Sequence, residues 1–181
     1  ALERALTLED PDQAVDFPRL PSLIVAQVLE ATGRHDRARV LLAALHERLV
    51  ARGDEVDLAY VLAHEGVTAW LAGDLEVAEE HAGDALRIAT LTGQESMCSV
   101  ALATRGIVRA TRGNLSGSRD DGIDALARAQ RVGWTPGINA SRYALAFLSL
   151  SEDDPGAAMA WLDPVVGLVE AMGVFEFEFA M

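Results

Sequence analysis

The side chains that most often carry chemistry are few in this sequence and widely separated. Its histidines are His35, His46, His64 and His81, and no two of them have the close helical spacing that the zinc-protease motif requires. Cys98 is the only cysteine, which excludes an internal disulfide and a cysteine-rich metal site. No serine has the strand–turn–helix context of a nucleophile elbow. We therefore expect no catalytic activity, no metal and no cofactor.

Composition and charge narrow the range of partners. The chain has 181 residues, with 28 acidic residues against 15 basic ones and a net charge of −13. Such a surface repels phosphate backbones and anionic membranes, so we expect no direct nucleic-acid contact and no membrane binding. Every basic residue is arginine, which excludes mechanisms that need a lysine, such as a phosphate-loop lysine or a Schiff base. The single cysteine and the lack of a signal peptide or long apolar run favour a cytoplasmic protein.

Glycines repeat along the chain with a fixed period. Gly33, Gly73 and Gly113 are equally spaced, and Asp153 takes the next place in that series. A second series has the same spacing and falls midway between the members of the first: Gly53, Gly93, Gly133 and Gly173. Because glycine readily adopts the left-handed conformation that ends a helix, the two series predict successive helices of about 17 residues, roughly 25 Å long.

Capping residues and small residues follow the same register. Asp74, Asn114 and Asp154 come directly after the first glycine series or its aspartate and are good N-caps, as Asp54 is in the other series. Small residues recur at two fixed places, which would let paired helices approach closely: Ala26, Gly66, Gly106 and Ala146, and Ala38, Ala78, Ser118 and Ala158.

The repeat as a whole predicts the fold class. A period of about 40 residues, made of two helices per unit, indicates an all-α, right-handed solenoid of antiparallel helix hairpins. The units would be at about 14–53, 54–93, 94–133 and 134–173, with partial units at both ends. We expect residues 1–181 to be one repeat domain of a longer chain.

At these residues the chain resembles the tetratricopeptide repeat family. Gly66, Gly73 and Ala78 match the family's small residue, turn glycine and second-helix alanine, and Gly106, Gly113 and Ser118 nearly repeat the match. The period is longer than the usual one, and the aromatic residues typical of the family are replaced by Ala69 and Ala82. The longer, alanine-rich, lysine-free units resemble the helical repeat region of large bacterial transcriptional regulators of the MalT-like or LuxR type. That resemblance implies an ATPase module before the repeats and a helix-turn-helix after them.

In repeats of this type the first helix of each pair lines the concave face. By position, this places six apolar or aromatic residues in the groove: Tyr60, Val67, Trp70, Ile107, Tyr143 and Phe147. Such a surface suits a protein or peptide partner, or a small apolar effector. The alternative is that these side chains pack against adjoining domains or against each other.

Two charged residues at equivalent places in the repeat lead to a further prediction. Glu65 and Arg105 occupy the same place in consecutive units, so we expect an inter-repeat ion pair that fixes the stacking register, or else a polar anchor for a ligand.

The segment Phe175–Phe179 alternates like a strand, but the repeat register predicts a helix there. Its phenylalanines would be exposed and would favour a homodimer.

The sequence therefore predicts a non-catalytic interaction or effector-sensing region of a bacterial transcriptional regulator, with a role in signal transduction. One alternative is a plain adaptor that assembles protein partners. A more remote alternative is an enzyme, which would require polar groups converging in a pocket, such as a buried acid–base pair in the groove.

Overall fold

The computed structural model describes residues 4, 6, 7, 9 and 20–172 of the chain. Within residues 20–172 the chain forms eight helices and no strand. The helices are α1 (Pro21–Ala31), α2 (His35–Arg52), α3 (Glu55–Leu71), α4 (Leu75–Leu91), α5 (Glu95–Thr111), α6 (Leu115–Val132), α7 (Thr135–Ser151) and α8 (Pro155–Met172). The predicted helix in Phe175–Phe179 lies outside the described residues.

The helices stack in the order of the sequence. Each helix packs against the next one along the chain, and in addition α3 contacts α5 and α5 contacts α7. These extra contacts join the first helices of successive hairpins, which places them side by side along one face of the stack. The prediction of an all-α helical solenoid is confirmed, and within residues 20–172 no helix is both long and apolar enough to cross a membrane.

The turns have the backbone conformation that the glycine series predicted. The six described glycines of the two series have φ between 66° and 85°: Gly33, Gly53, Gly73, Gly93, Gly113 and Gly133. Asp153, at the next place in the first series, has φ 61° and is the one non-glycine residue with positive φ among the described residues. A side chain costs energy in this region, although aspartate tolerates it better than most residues do. A residue with left-handed backbone conformation therefore recurs at the end of each helix from α1 to α7, with the period seen in the sequence.

Side-chain caps begin four of the helices. Asp54, Asp74, Asn114 and Asp154 each accept a hydrogen bond from the backbone N–H three residues ahead. The other four helices, α1, α2, α5 and α7, have no side-chain cap. Of these, α2 begins at His35 with Asp36 in its first turn, and α7 begins at Thr135 with Trp134 as its N-cap.

The small residues mark the closest helix contacts. A Cβ added at Gly66 would lie 3.3 Å from the backbone oxygen of Ala78 on α4 and 3.3 Å from the Thr104 methyl group on α5. The other members of the two small-residue series are also buried: Ala26, Ala38, Ala78, Gly106, Ser118, Ala146 and Ala158. Cys98 is buried in the core as well, as expected for a small apolar residue.

Candidate functional site

The face of the stack that is lined by the first helices contains a cavity of about 400 Å³. Its wall is mainly apolar and comes from the end of α1, from α3, α5 and α7, from Trp134 before α7, and from α8. The α8 residues are Leu162, Val165 and Val166. The sequence had assigned this face to first helices alone, so the contribution of a second helix, α8, is a correction to that assignment. The volume lies within the range of small-molecule sites.

The structure brings together the six residues predicted for the groove. Five of them lie on the cavity wall: Tyr60, Val67, Trp70, Ile107 and Tyr143. Phe147 lies behind the wall and packs edge-on against Trp70, with ring centroids 5.6 Å apart and an interplanar angle of 89°. The Trp70 indole nitrogen donates a hydrogen bond to the Thr111 hydroxyl at 2.9 Å. These contacts fix the orientation of the Trp70 ring.

A buried polar network occupies the wall where α1 meets α3. The Glu30 carboxylate is 2.9 Å from His64 Nδ1 and also accepts a hydrogen bond from the Thr68 hydroxyl. Gln27 Nε2 is 2.9 Å from the Tyr60 hydroxyl and 3.2 Å from His64 Nε2. With Gln27 Nε2 as donor to both, His64 Nε2 accepts and its Nδ1–H donates to Glu30. This assignment gives both nitrogens of the imidazole a hydrogen-bond partner.

Tyr60 connects this network to the cavity. Burial raises the pKa of its hydroxyl above the ordinary value of 10.0, and the nearby Glu30 carboxylate acts in the same direction, while the hydrogen bond from Gln27 opposes them. Burial is the largest of these effects because the phenolate, unlike the phenol, loses its hydration there. Tyr60 is therefore a neutral hydrogen-bonding group at neutral pH.

Two largely buried side chains on the walls formed by α5 and α7 have no hydrogen-bond partner among the residues that the structure describes. Asn139 on α7 is 5% exposed and Thr104 on α5 is 4% exposed, and both line the cavity. Among the described residues, neither the Asn139 amide nor the Thr104 hydroxyl has a hydrogen-bond partner, whereas the neighbouring Ser141 and Ser149 hydroxyls both bond to their own helix. The polar atoms of both side chains are not among the fully enclosed atoms that lack a partner, so they remain accessible and a ligand or ordered water can bond to them.

The predicted ion pair between Glu65 and Arg105 is wrong. Arg105 instead binds Asp121 within its own hairpin, through contacts of 2.8 and 2.7 Å. Glu65 lies 2.8 Å from His46 Nδ1 and 3.7 Å from His81 Nδ1. Equivalent residues of stacked helices lie side by side, but each of these two side chains is directed toward the second helices, where a partner of complementary charge is available.

Several polar residues of the cavity were missed from the sequence. His64 and Thr104 lie one period apart and therefore share one place in the repeat, three residues before the predicted groove residues Val67 and Ile107. Extending the groove assignment by one helical turn toward the start of each first helix would have found both. Glu30 could not have been found in this way, because the residue one period after it is Trp70, which gives no indication of a polar position.

A metal site requires several ligating side chains that lie close together. Among the residues that the structure describes, no group of three or more histidine, cysteine, aspartate or glutamate side chains could hold a metal ion. The wall also offers no arginine among its described residues, so a phosphate-bearing cofactor would lack a cationic partner there.

The architecture has a counterpart among solved structures. The crystal structure of BtubC (BKLC) from P. vanneervenii is similar to this chain, with a TM-score of 0.61 and 18% sequence identity over 95% of this chain and 70% of that one. At this level of identity the similarity concerns the fold alone. No family model matches the sequence, and no curated protein matches it. The chain is a helical repeat scaffold, and a function has to be argued from its cavity.

Proposed function

We propose that this chain is a non-catalytic sensing domain that binds a small apolar effector in the concave cavity. The observation that carries the proposal is the cavity itself, with a volume of about 400 Å³, an apolar wall and a few buried polar side chains. Burial of an apolar ligand there would supply most of the binding free energy, and the polar groups would orient the ligand.

The contribution of α8 favours a small molecule over a protein partner. Leu162, Val165 and Val166 complete the wall together with the first helices and limit the length of any ligand that fits between them. Ligand contacts to both α8 and the first helices would couple occupancy to the curvature of the stack. In the adaptor alternative, Tyr143→Ala with Phe147→Ala would abolish capture of a protein partner and leave the response to small molecules unchanged.

The buried Glu30–His64 pair is the one observation that favours an enzyme. A general base needs a free lone pair that can reach a substrate proton. In this network the His64 Nδ1–H donates to Glu30, and Gln27 is hydrogen-bonded to Nε2. The hydroxyl of Thr104, which also lines the cavity, has no hydrogen bond to His64 among the described residues, so no base is placed to activate it as a nucleophile. Both points support a network that shapes the site rather than one that performs chemistry.

A wider context is also part of the proposal. The resemblance of the repeat units to those of MalT-like or LuxR-type regulators supports a parent protein that regulates transcription. The net charge of −13 supports a separate domain for DNA contact. Recovering the full open reading frame tests this point. A phosphate-loop ATPase before this segment and a helix-turn-helix after it would support a regulator, and the absence of both would favour a free-standing adaptor.

Titration with a neutral apolar fluorophore, N-phenyl-naphthylamine, tests the cavity as a binding site. Trp70 and Trp134 lie on the wall, so binding should quench their fluorescence and sensitise the probe. Ala140→Phe fills part of the cavity and should weaken binding by about tenfold or more. Ala127→Phe adds the same side chain at an exposed position on α6 and should leave the affinity unchanged. Absence of saturable binding, or equal affinities in both variants, would contradict the proposal.

A further inference from the structure

The chemistry of the effector follows from which polar groups on the wall remain unpaired. The Glu30 carboxylate accepts hydrogen bonds from His64 and Thr68, and Gln27 links His64 to Tyr60. This side of the cavity is internally satisfied and requires no ligand group. On the walls formed by α5 and α7, the Thr104 hydroxyl and the Asn139 amide line the cavity without partners among the described residues.

An asparagine amide presents a donor and an acceptor side by side. The group that satisfies both together is another amide, whose own N–H and C=O are arranged in the complementary way. The Thr104 hydroxyl can donate or accept a hydrogen bond, so it can bond to the second N–H or the second oxygen lone pair of a ligand amide. A hydrocarbon in this place would leave both side chains buried and unpaired, which costs free energy.

Charge on the wall excludes an acidic ligand. Glu30 is the carboxylate that lines the cavity, and no arginine lines it among the described residues, in a chain that contains no lysine. A carboxylate entering this site would lose its hydration without gaining a cationic partner. The Glu30 carboxylate is already hydrogen-bonded to His64 and Thr68, so it offers no free counter-charge to a cation either, and the bound molecule should be uncharged.

We propose that the ligand is an uncharged, mostly apolar molecule with an amide group, an inference that rests on the proposed effector site. Asn139 binds this amide group through a pair of hydrogen bonds, one donated and one accepted, and Thr104 contributes a further hydrogen bond. The remainder of the molecule packs against the aromatic and aliphatic wall. Asn139 thus determines specificity, and the apolar wall determines most of the affinity.

Three probes of one shape test this proposal: a naphthalene carboxamide, an isopropenyl naphthalene and a naphthalene carboxylate. The measured quantity is the ratio of the carboxamide Kd to the isopropenyl Kd, by calorimetry or tryptophan quenching. Asn139→Leu should shift this ratio about tenfold against the carboxamide, and Thr104→Val by about threefold. Gln130→Leu removes an exposed amide on α6 and should leave the ratio unchanged. The carboxylate should bind the unmodified protein at least about tenfold more weakly than the carboxamide.

The outcomes separate this inference from the proposed function. If no probe binds, including the isopropenyl compound, the proposed effector site is wrong. If the isopropenyl compound binds and the ratio is the same in Asn139→Leu, the site stands and the amide assignment is wrong. Where Asn139→Leu fails to fold, Asn139→Asp keeps the shape of the side chain and removes its donor. A ratio unchanged in that variant overturns the inference equally.

Discussion

The hairpins α3–α4 and α5–α6 place different charges at the same point of the same architecture. In the first, Glu65 lies 3.7 Å from His81, and in the second, Arg105 binds Asp121 through two short contacts. In both hairpins the partner lies at the same separation along the chain. The pair joins the first helix to the second helix of one hairpin, and the negative charge is on the first helix in α3–α4 and on the second helix in α5–α6.

The outer hairpins fill this point with apolar side chains. Leu41 packs against the cluster that contains Val25, and Trp161 packs against the cluster that contains Leu145, again at the separation found in the inner hairpins. The position therefore requires two complementary side chains rather than a charge. Complementarity between a first-helix side chain and the second helices that it faces, and not likeness between neighbouring units, decides which side chains meet.

The largest expected effect is the loss of the shared carboxylate in α5–α6. Asp121 is 4% exposed and accepts hydrogen bonds from both Arg105 and Arg109. Asp121→Leu should lower the free energy of unfolding by about 3 kcal/mol in urea denaturation, because two partly buried guanidinium groups lose their counter-charge. His81→Leu, the matched change in α3–α4, should cost about 1 kcal/mol, because Glu65 keeps its contact with His46.

A double variant checks that Arg105 and Asp121 act as a pair. Asp121→Leu combined with Arg105→Leu should lose less stability than the two single changes added together, because the second change removes a charge that the first left unpaired. Strict additivity, or equal losses in Asp121→Leu and His81→Leu, would contradict the comparison of the hairpins.

Alkaline pH should distinguish the two hairpins. Burial raises the pKa of Tyr60 on α3, while the equivalent residue on α5 is Val100. A raised folded-state pKa means that the native state holds this proton more tightly than the unfolded state does. The free energy of unfolding is therefore unaffected well below the ordinary pKa of 10.0 and falls as pH rises through that value toward the folded-state pKa.

Urea denaturation across this pH range measures the effect, and Tyr60→Phe should remove it. In Tyr143→Phe, Tyr60 is the only tyrosine left, so tyrosinate absorbance then reports its titration directly. The ion pair of α5–α6 should not contribute, because hydrogen bonds with Asp121 raise the pKa of Arg105. A midpoint at the ordinary tyrosine value, or an unchanged pH dependence in Tyr60→Phe, would show that burial does not act on this group.

The smallest expected effect concerns the turns. Gly113 joins α5 to α6 with φ 80°, and Asp153 joins α7 to α8 with φ 61°. Gly113→Asp should cost about 1 kcal/mol, because it places a side chain in the left-handed region. Asp153→Gly should raise the free energy of unfolding by up to about 1 kcal/mol. The gain is reduced because glycine also increases the conformational entropy of the unfolded chain. Thermal denaturation measures the stability change in both variants. An increase in stability in Gly113→Asp would mean that the two turns are not equivalent.

Much of the fold could be predicted from local sequence signals. The left-handed glycines, the caps at Asp54, Asp74, Asn114 and Asp154, and the small-residue series all act within a few residues or at a helix contact that the period repeats. The groove residues followed from the resemblance to the tetratricopeptide repeat, which implies that first helices line one face, and the register only assigned the positions. Four helices start without a side-chain cap, at Pro21, His35, Glu95 and Thr135, so no capping signal could fix where they begin.

The site could be predicted only in outline. Apolar wall residues repeat with the period, but the polar residues at the cavity each occur once. Glu30 and His64 meet across the α1–α3 contact, and their separation along the chain fits no fixed step of the repeat. The part played by α8 also depends on how the last hairpin packs, which the periodic pattern does not contain.

The sequence by itself determined the period, the helices and the face they share, because backbone conformation at glycine and capping at the helix starts are local. Tertiary structure alone decided that Arg105 binds Asp121 and that Asn139 and Thr104 face the cavity unpaired. Hydrogen bonds and ion pairs depend on distances of a few ångströms between side chains far apart in the chain. Such distances are set by the packing of whole helices, so two residues at equivalent places in the repeat, Glu65 and Arg105, acquired different partners.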